Sequence, residues 1–198
     1  MLIIGLRTIW KTLRGGTFHC PNERTDRPYI VQEARRFFAI FFIPLIPLGK
    51  AGQAVRCESC KNRFPVSVLD QPTAVDRTDQ LAHAVRTVAV AMAAADGSAD
   101  SGVRARTVDL VNEFGPGYDD IKLGEDLRLL PVHDVQSVVT AVAGGFDGPG
   151  KERLVTNTLA IATSNGEMTA AERRVLDALA AGLGMTPAHL RGVLAGES

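Results

Sequence analysis

The chain has 198 residues, which excludes more than one small and one medium domain, and its apolar content of 45% with few aromatics suits an alanine- and valine-rich globular core. Its 22 basic and 22 acidic residues cancel overall, but not locally. Residues 1–70 carry 11 Lys/Arg against 5 Asp/Glu, and residues 71–198 carry 11 against 17. Such a split suggests two modules that attract each other or that face partners of opposite sign.

Residues 2–14 read as a strand with a basic tail (Arg7, Lys11, Arg14) ended by Gly15-Gly16, or else as an amphipathic helix lying on a membrane surface. They do not read as a secretory signal, because Arg7 interrupts the apolar start and no small-residue cleavage site follows. Phe18–Cys20 reads as a strand entering the turn Cys20-Pro21-Asn22-Glu23. Pro28–Glu33 reads as the next strand, with Phe37–Ile43 as its partner. Val55–Cys57 enters a second turn, Cys57-Glu58-Ser59-Cys60, and Phe64–Val68 closes the sheet. The apolar run Phe37–Leu48 contains Pro44 and Pro47 and falls short of the roughly 20 residues that span a bilayer. No transmembrane segment is expected. Strand alternation puts about half of that run on an outer face, an apolar surface suited to docking on the helical part, a partner or a membrane.

Two turns of this kind, each ending a short strand, are how zinc acquires four ligands around one tetrahedral ion. The second turn is a complete C-x-x-C; the first has Glu23 where another thiolate would stand. Zinc accepts a carboxylate oxygen at about 2.0–2.2 Å as well as a thiolate at about 2.3 Å. Cys20, Cys57, Cys60 and Glu23 therefore form the expected zinc site, weaker than one of four thiolates. His19 is a second candidate for the fourth position and water a third. Adjacent strand residues point to opposite faces, so His19 needs a local distortion to join Cys20. Against the metal stands a plainer reading, three buried thiols, since free cysteine packs as a small hydrophobe. The clustering of all three cysteines in polar turns favours the metal. Three is odd, which argues against a disulfide framework, and no helical pattern follows Cys60 as a thioredoxin-type motif requires.

The stretches Gly16-Thr17-Phe18-His19-Cys20-Pro21, Arg35 through Lys50 with its FFIPLIPLG segment, and Val55-Arg56-Cys57-Glu58-Ser59-Cys60 together resemble a bacterial zinc-ribbon family over about residues 1–70. The resemblance implies a small β ribbon stabilised by structural zinc. Glu23 departs from its pattern.

Residues 71–78 lose apolar periodicity and read as a linker. From residue 79 every informative segment reads as helix: Leu81–Ala95, Asp100–Phe114, Asp119–Leu130, a helix opened by Pro131, Lys151–Ser164, Thr169–Gly182 with a T-x-x-E capping box, and a last helix after Thr186-Pro187. The glycines of Gly144-Gly145 and Gly148-Pro149-Gly150 read as breaks. Two units repeat 69 residues apart, Ala91–Gly97 with the helix after it and Ala160–Gly166 with the helix after it. Each is an apolar helix, a tight Asp-Gly or Asn-Gly turn and a second helix. This pattern resembles the TerB-like helical family, named for tellurite-resistance proteins, over about residues 79–196. That resemblance implies an all-helical bundle whose turn acids face each other near a pseudo-twofold axis, around a cation, and a part in stress response.

The expected architecture is thus α+β: a zinc-ribbon-like domain (1–70), a linker (71–78) and a TerB-like helical domain (79–198). Asp96, Asp100, Asn165, Glu167 and Glu172 could form an oxygen-rich cation site, but turn chemistry explains Asp96 and Asn165, and capping explains Glu172. His83, His133 and His189 are isolated from one another, and no phosphate loop, dinucleotide fingerprint or H-E-x-x-H motif appears. The expected function is a non-enzymatic adaptor with a protein partner, cytoplasmic, with peripheral contact to the inner membrane face left open. The alternative is a nucleic-acid-binding regulator using Arg24, Arg27, Arg35, Arg36, Arg56, Lys61 and Arg63 against phosphates.

Overall fold

The computed structural model describes residues 4–40, 43–95, 97, 99–129 and 134–196. The architecture is α+β: a four-stranded antiparallel sheet precedes the helices. Two compact units, Met1–Asp76 and Arg77–Ser198, divide the chain within the first turn of its first helix.

The sheet has the order β1 (Ile4–Cys20), β2 (Thr25–Ile40), β3 (Ile43–Cys57) and β4 (Arg63–Phe64). Its first three strands are long; at about 3.3 Å per residue they extend roughly 50 Å. The sequence reading broke this meander into shorter pieces. Gly15-Gly16, expected to end the first strand, instead lie inside β1. Gly16 stands opposite Tyr29, whose ring would meet a Cβ there at 3.0 Å, so the missing side chain makes room for the aromatic. Pro28–Glu33 and Phe37–Ile40 are parts of one strand rather than partners; Phe37 aligns with Pro47 and Phe38 with Ile46. Residues 41 and 42, expected as the end of that second strand, lie outside the described residues. Both prolines are tolerated because β4 pairs only with Val55 and Arg56, leaving the rest of β3 as an edge that needs no inner N–H. Register shifts along β3 coincide with positive φ at Gly49 (105°) and Gly52 (127°), where bulges form. The expected strand Phe64–Val68 stops at Phe64, because Pro65 cannot donate to the ladder, and a 3₁₀ turn Val66–Asp70 follows.

Among the described residues this unit has one small buried cluster, at the cysteine end. Phe18, Cys20, Val31, Val55, Cys57 and Val68 are buried together, with Tyr29 edge-on to Phe18 at 5.5 Å between ring centroids.

The expected linker is helical from its fourth residue. Thr73 and Asp76 cap each other reciprocally, side chain to backbone N–H in both directions (2.9 and 3.2 Å), and start α1 (Ala74–Ala95) seven residues before Leu81. Asp26 of β2 also accepts from the Ala74 N–H at 2.7 Å. Then come α2 (Ser101–Phe114), α3 (Asp120–Leu129), α4 (Val135–Val142), α5 (Gly148–Ala162), α6 (Ala170–Gly182) and α7 (Pro187–Gly196). Gly148-Pro149-Gly150 is not a break but the first turn of α5: Asp147 caps it and proline suits a position with no intrahelical N–H bond. Pro131, expected to open a helix, lies outside the described residues; α4 is capped by Asp134. None of the helices described is long and apolar enough to cross a membrane.

The second unit's core is built around α1, which is buried on all sides from Val88 to Ala93. Leu110, Leu123, Val139, Leu154, Ile161, Leu176 and Leu179 pack in the same cluster. The 69-residue repeat is visible in the caps: Asp100 caps α2 and Thr169 caps α6. A part-buried polar network ties α1 to α3. Arg86 clasps Asp126 with two bonds (2.6 and 2.5 Å), and Tyr118 donates to the same carboxylate at 2.6 Å. Burial alone would raise Asp126, but the Arg86 and Tyr118 hydrogen bonds outweigh it and hold the carboxyl below its ordinary value.

Two measurements check this packing. A Cβ on Gly182 would lie 2.8 Å from the Val139 side chain and 2.9 Å from the Gln136 carbonyl, so α4 and α6 touch through that glycine. Gly182→Ala should destabilise the chain by about 1–3 kcal/mol in a thermal or urea melt. Asp126→Asn should cost about 1–3 kcal/mol at neutral pH. Because the folded value is depressed, that contribution is present above the unfolded carboxylate value of about 3.9 and is lost as pH falls through the folded one. The gap between wild type and Asp126→Asn should therefore close on acidification.

Candidate metal centre

The antiparallel meander brings both cysteine turns to the same end of the sheet. Cys20 is the last residue of β1 and Cys57 the last of β3, each flanking the start of β2. The Arg24 N–H donates to the Cys20 carbonyl at 2.7 Å, closing the first turn; the Cys57 N–H donates to the Asn62 carbonyl at 3.0 Å across the second. Both turns use a left-handed residue four positions after the leading cysteine, Arg24 (φ 52°) and Lys61 (φ 62°). Non-glycine residues take that conformation at a cost of about 1–2 kcal/mol. The two turns thus share a conformational landmark, and Glu23 occupies the place in the first that Cys60 occupies in the second.

The sulfur atoms of Cys20, Cys57 and Cys60 all lie within 4.8 Å of one another. Cys20 and Cys60 are 3.8 Å apart. Cys20 and Cys57 are fully buried in the sheet's core, while Cys60 is partly open. Burial opposes ionisation of Cys57, yet the backbone N–H groups of Cys60 and Ser59 outweigh it and bring the thiol below its ordinary value. Burial pushes the Cys60 thiol up. Three sulfurs facing one point on the edge of an apolar core can bind a metal ion, and thiolates favour soft or borderline metals. Among the described residues this is the one group of three or more such side chains that converges.

The structure does not bring the two candidates for a fourth ligand into that set. Glu23 accepts from the Ser59 hydroxyl at 2.8 Å and pairs with the Arg27 guanidinium, and these two bonds hold its carboxyl below the ordinary range. His19 pairs through Nδ1 with Asp26 at 3.1 Å, where strand alternation turns it away from Cys20. Arg27, Ser59 and Asp26 were not singled out as partners because pairings across a turn leave no periodic signal in the sequence.

Of the other candidate site residues, Asp100 and Glu172 cap helices. Asp100 accepts from the Gly102 and Val103 N–H groups, and Glu172 completes the Thr169 capping box. Asn165 and Glu167 are exposed, and Asp96 lies outside the described residues. His189 pairs with Glu152 at 2.7 Å, His83 is exposed, and His133 lies outside the described residues. A groove of about 350 Å³ beside α1 is lined by His83, Arg86, Tyr118 and Lys122. Its Arg86 and Lys122 are committed to Asp126 and to the Gly117 carbonyl.

No family model, curated protein or solved structure matches this chain.

Proposed function

We propose that the chain is a non-enzymatic adaptor in which a zinc-ribbon module is joined to a TerB-like helical bundle. The observation that carries the reading is the convergence of Cys20, Cys57 and Cys60 within 4.8 Å at the end of a sheet with little core of its own. Zinc suits this donor set because it is redox-inert, accepts thiolates and imposes no geometry beyond the tetrahedron. Bound there, it would tie β1 to β3 and supply stability that this core is too small to provide. The fourth position falls to water unless Glu23 exchanges Arg27 and Ser59 for the metal.

An adaptor presents surfaces rather than a reaction centre. The first unit's net charge of +6 over residues 1–70 suits an acidic protein partner. It would suit nucleic acid too, but stacking on bases needs open aromatic faces. Tyr29 lies edge-on against Phe18, and Phe37 and Phe38 are half-buried, which supports protein contact over base stacking. The paired helix–turn–helix units and their caps 69 residues apart support the TerB-like reading and, through it, a part in stress response. Cytoplasm is the compartment that goes with that reading.

Elemental analysis of protein purified without chelator should give about one zinc per chain. Cys57→Ser should bring this close to zero, and Glu23→Cys should tighten binding in a chelator competition. A wild-type zinc content near zero, with three freely titrating thiols, would sink the zinc reading. Stripping the metal should destabilise the sheet while the helical melt, followed at 222 nm by circular dichroism, stays cooperative.

A further inference from the structure

Among the described residues, the end of the sheet opposite the cysteines adds no buried cluster, yet it carries the apolar run Phe37–Leu48. Leu6, Ile43, Ile46 and Leu48 are 69, 59, 54 and 54% exposed. Cross-strand register places Leu6, Phe38 and Ile46 on one rung, and therefore on one face. The next rung along β2, Arg7 with Phe37 and Pro47, lies on the opposite face, so a cation stands among the apolar residues there. Exposed aliphatic surface thus sits on the Leu6 and Ile46 face, and on the other face the cations begin at once with Arg7.

Directly behind this end stands a collar of cations on both faces. Thr8, Arg36 and Gly49 form the rung behind Leu6 on the first face, and Ile9, Arg35 and Lys50 the rung behind Phe37 on the second. Lys11 and Arg14 follow on β1. In residues 4–14 and 33–54 together there are six Lys/Arg (7, 11, 14, 35, 36, 50) and one acid, Glu33, giving +5. Glu33 is buried and bonds Arg35 (2.9 Å) and Lys50 (3.0 Å), fixing two of these cations while leaving the pair net positive.

We propose that this hairpin end is a membrane-surface anchor that inserts Leu6, Ile43, Ile46 and Leu48 among the headgroups of an anionic phospholipid bilayer, with Arg36, Lys11, Arg35 and Lys50 against the lipid phosphates. Charge complementarity selects the occupant. A second copy would set one basic collar against another, and like charges repel. Nucleic acid would meet exposed aliphatic side chains that cannot stack on bases, with Phe37 and Phe38 half-buried between them. A surface that is apolar in depth and negative at its rim matches exposed aliphatic side chains backed by cations. The inference rests on the adaptor reading only in naming what the far end contacts. It does not depend on the metal.

The test is flotation of the full chain with vesicles of phosphatidylcholine alone and of phosphatidylcholine mixed with phosphatidylglycerol. The expected result is at least about ten-fold stronger partitioning to the anionic vesicles, lost in high salt. The double variant Leu6→Asn/Ile46→Asn should reduce partitioning by about ten-fold or more, with helical circular dichroism and metal content unchanged. Lys11→Glu/Arg36→Glu should do the same and abolish the salt dependence. Because the apolar double variant could disturb the sheet, a milder reporter stands beside it. Ile46→Trp in a Trp10→Phe background should be quenched by brominated lipid. No binding to anionic vesicles, unchanged binding by both double variants, or an unquenched Trp at position 46 would each overturn the proposal. So would a dimer dissolved by Leu6→Asn/Ile46→Asn without vesicle binding, which would give the face to a second copy. Zinc content is read separately, so vesicle binding by a zinc-free chain would sink the metal reading and leave this one standing.

Discussion

Three thiols meet in this protein because two turns of the same conformation close the same end of one sheet. The constraint is topological. In an antiparallel meander the first and third strands flank the second and end beside each other, so Cys20 and Cys57 become neighbours although 36 residues separate them. The left-handed residues Arg24 and Lys61 then turn each chain back, and only the second turn returns a further sulfur. The small cluster around Phe18, Val31 and Val55 buries two of the three sulfurs, so the packing of the sheet and the geometry of the site are one arrangement.

The helical unit holds itself together differently. Its core is large, aliphatic and centred on α1, whose alanines and valines let neighbouring helices come close. Where approach is tightest, Gly182 supplies the space. Polar groups inside it are satisfied in pairs: Thr107 and Thr158 return their hydroxyls to carbonyls one turn back, and Arg86, Asp126 and Tyr118 satisfy one another. These are stability devices. They leave little unpaired chemistry in the second unit, whereas the first concentrates sulfur at one end and exposed aliphatic surface at the other.

Much of this was legible in the sequence. Apolar periodicity located the helices because each buries a stripe, and the Thr169–Glu172 box marked the start of α6 directly. The three cysteines were legible because the spacing within Cys57-Glu58-Ser59-Cys60 and a lone Cys20 in a matching turn leave few other arrangements. What escaped was set by partners far along the chain. Gly15-Gly16 looked like a strand end but fits against Tyr29, and Pro28–Glu33 and Phe37–Ile40 looked like partners but form one strand. Glu23 stood at a ligand's position in the pattern; only the fold shows Ser59, from the other turn, taking one of its oxygens.

The length of the strands has a consequence for how this chain can change. Successive side chains of a strand alternate faces, so adding or removing one residue inverts everything between the change and the next bulge. Between Gly52 and Cys57 no register shift intervenes, and a single deletion there would turn Cys57 away from Cys20. Farther out, the shifts beside Gly49 and Gly52 already accommodate extra residues on β3. Insertions are therefore tolerated in the outer half of the hairpin and forbidden near the sulfurs, and the protein can vary its reach without moving its cysteines.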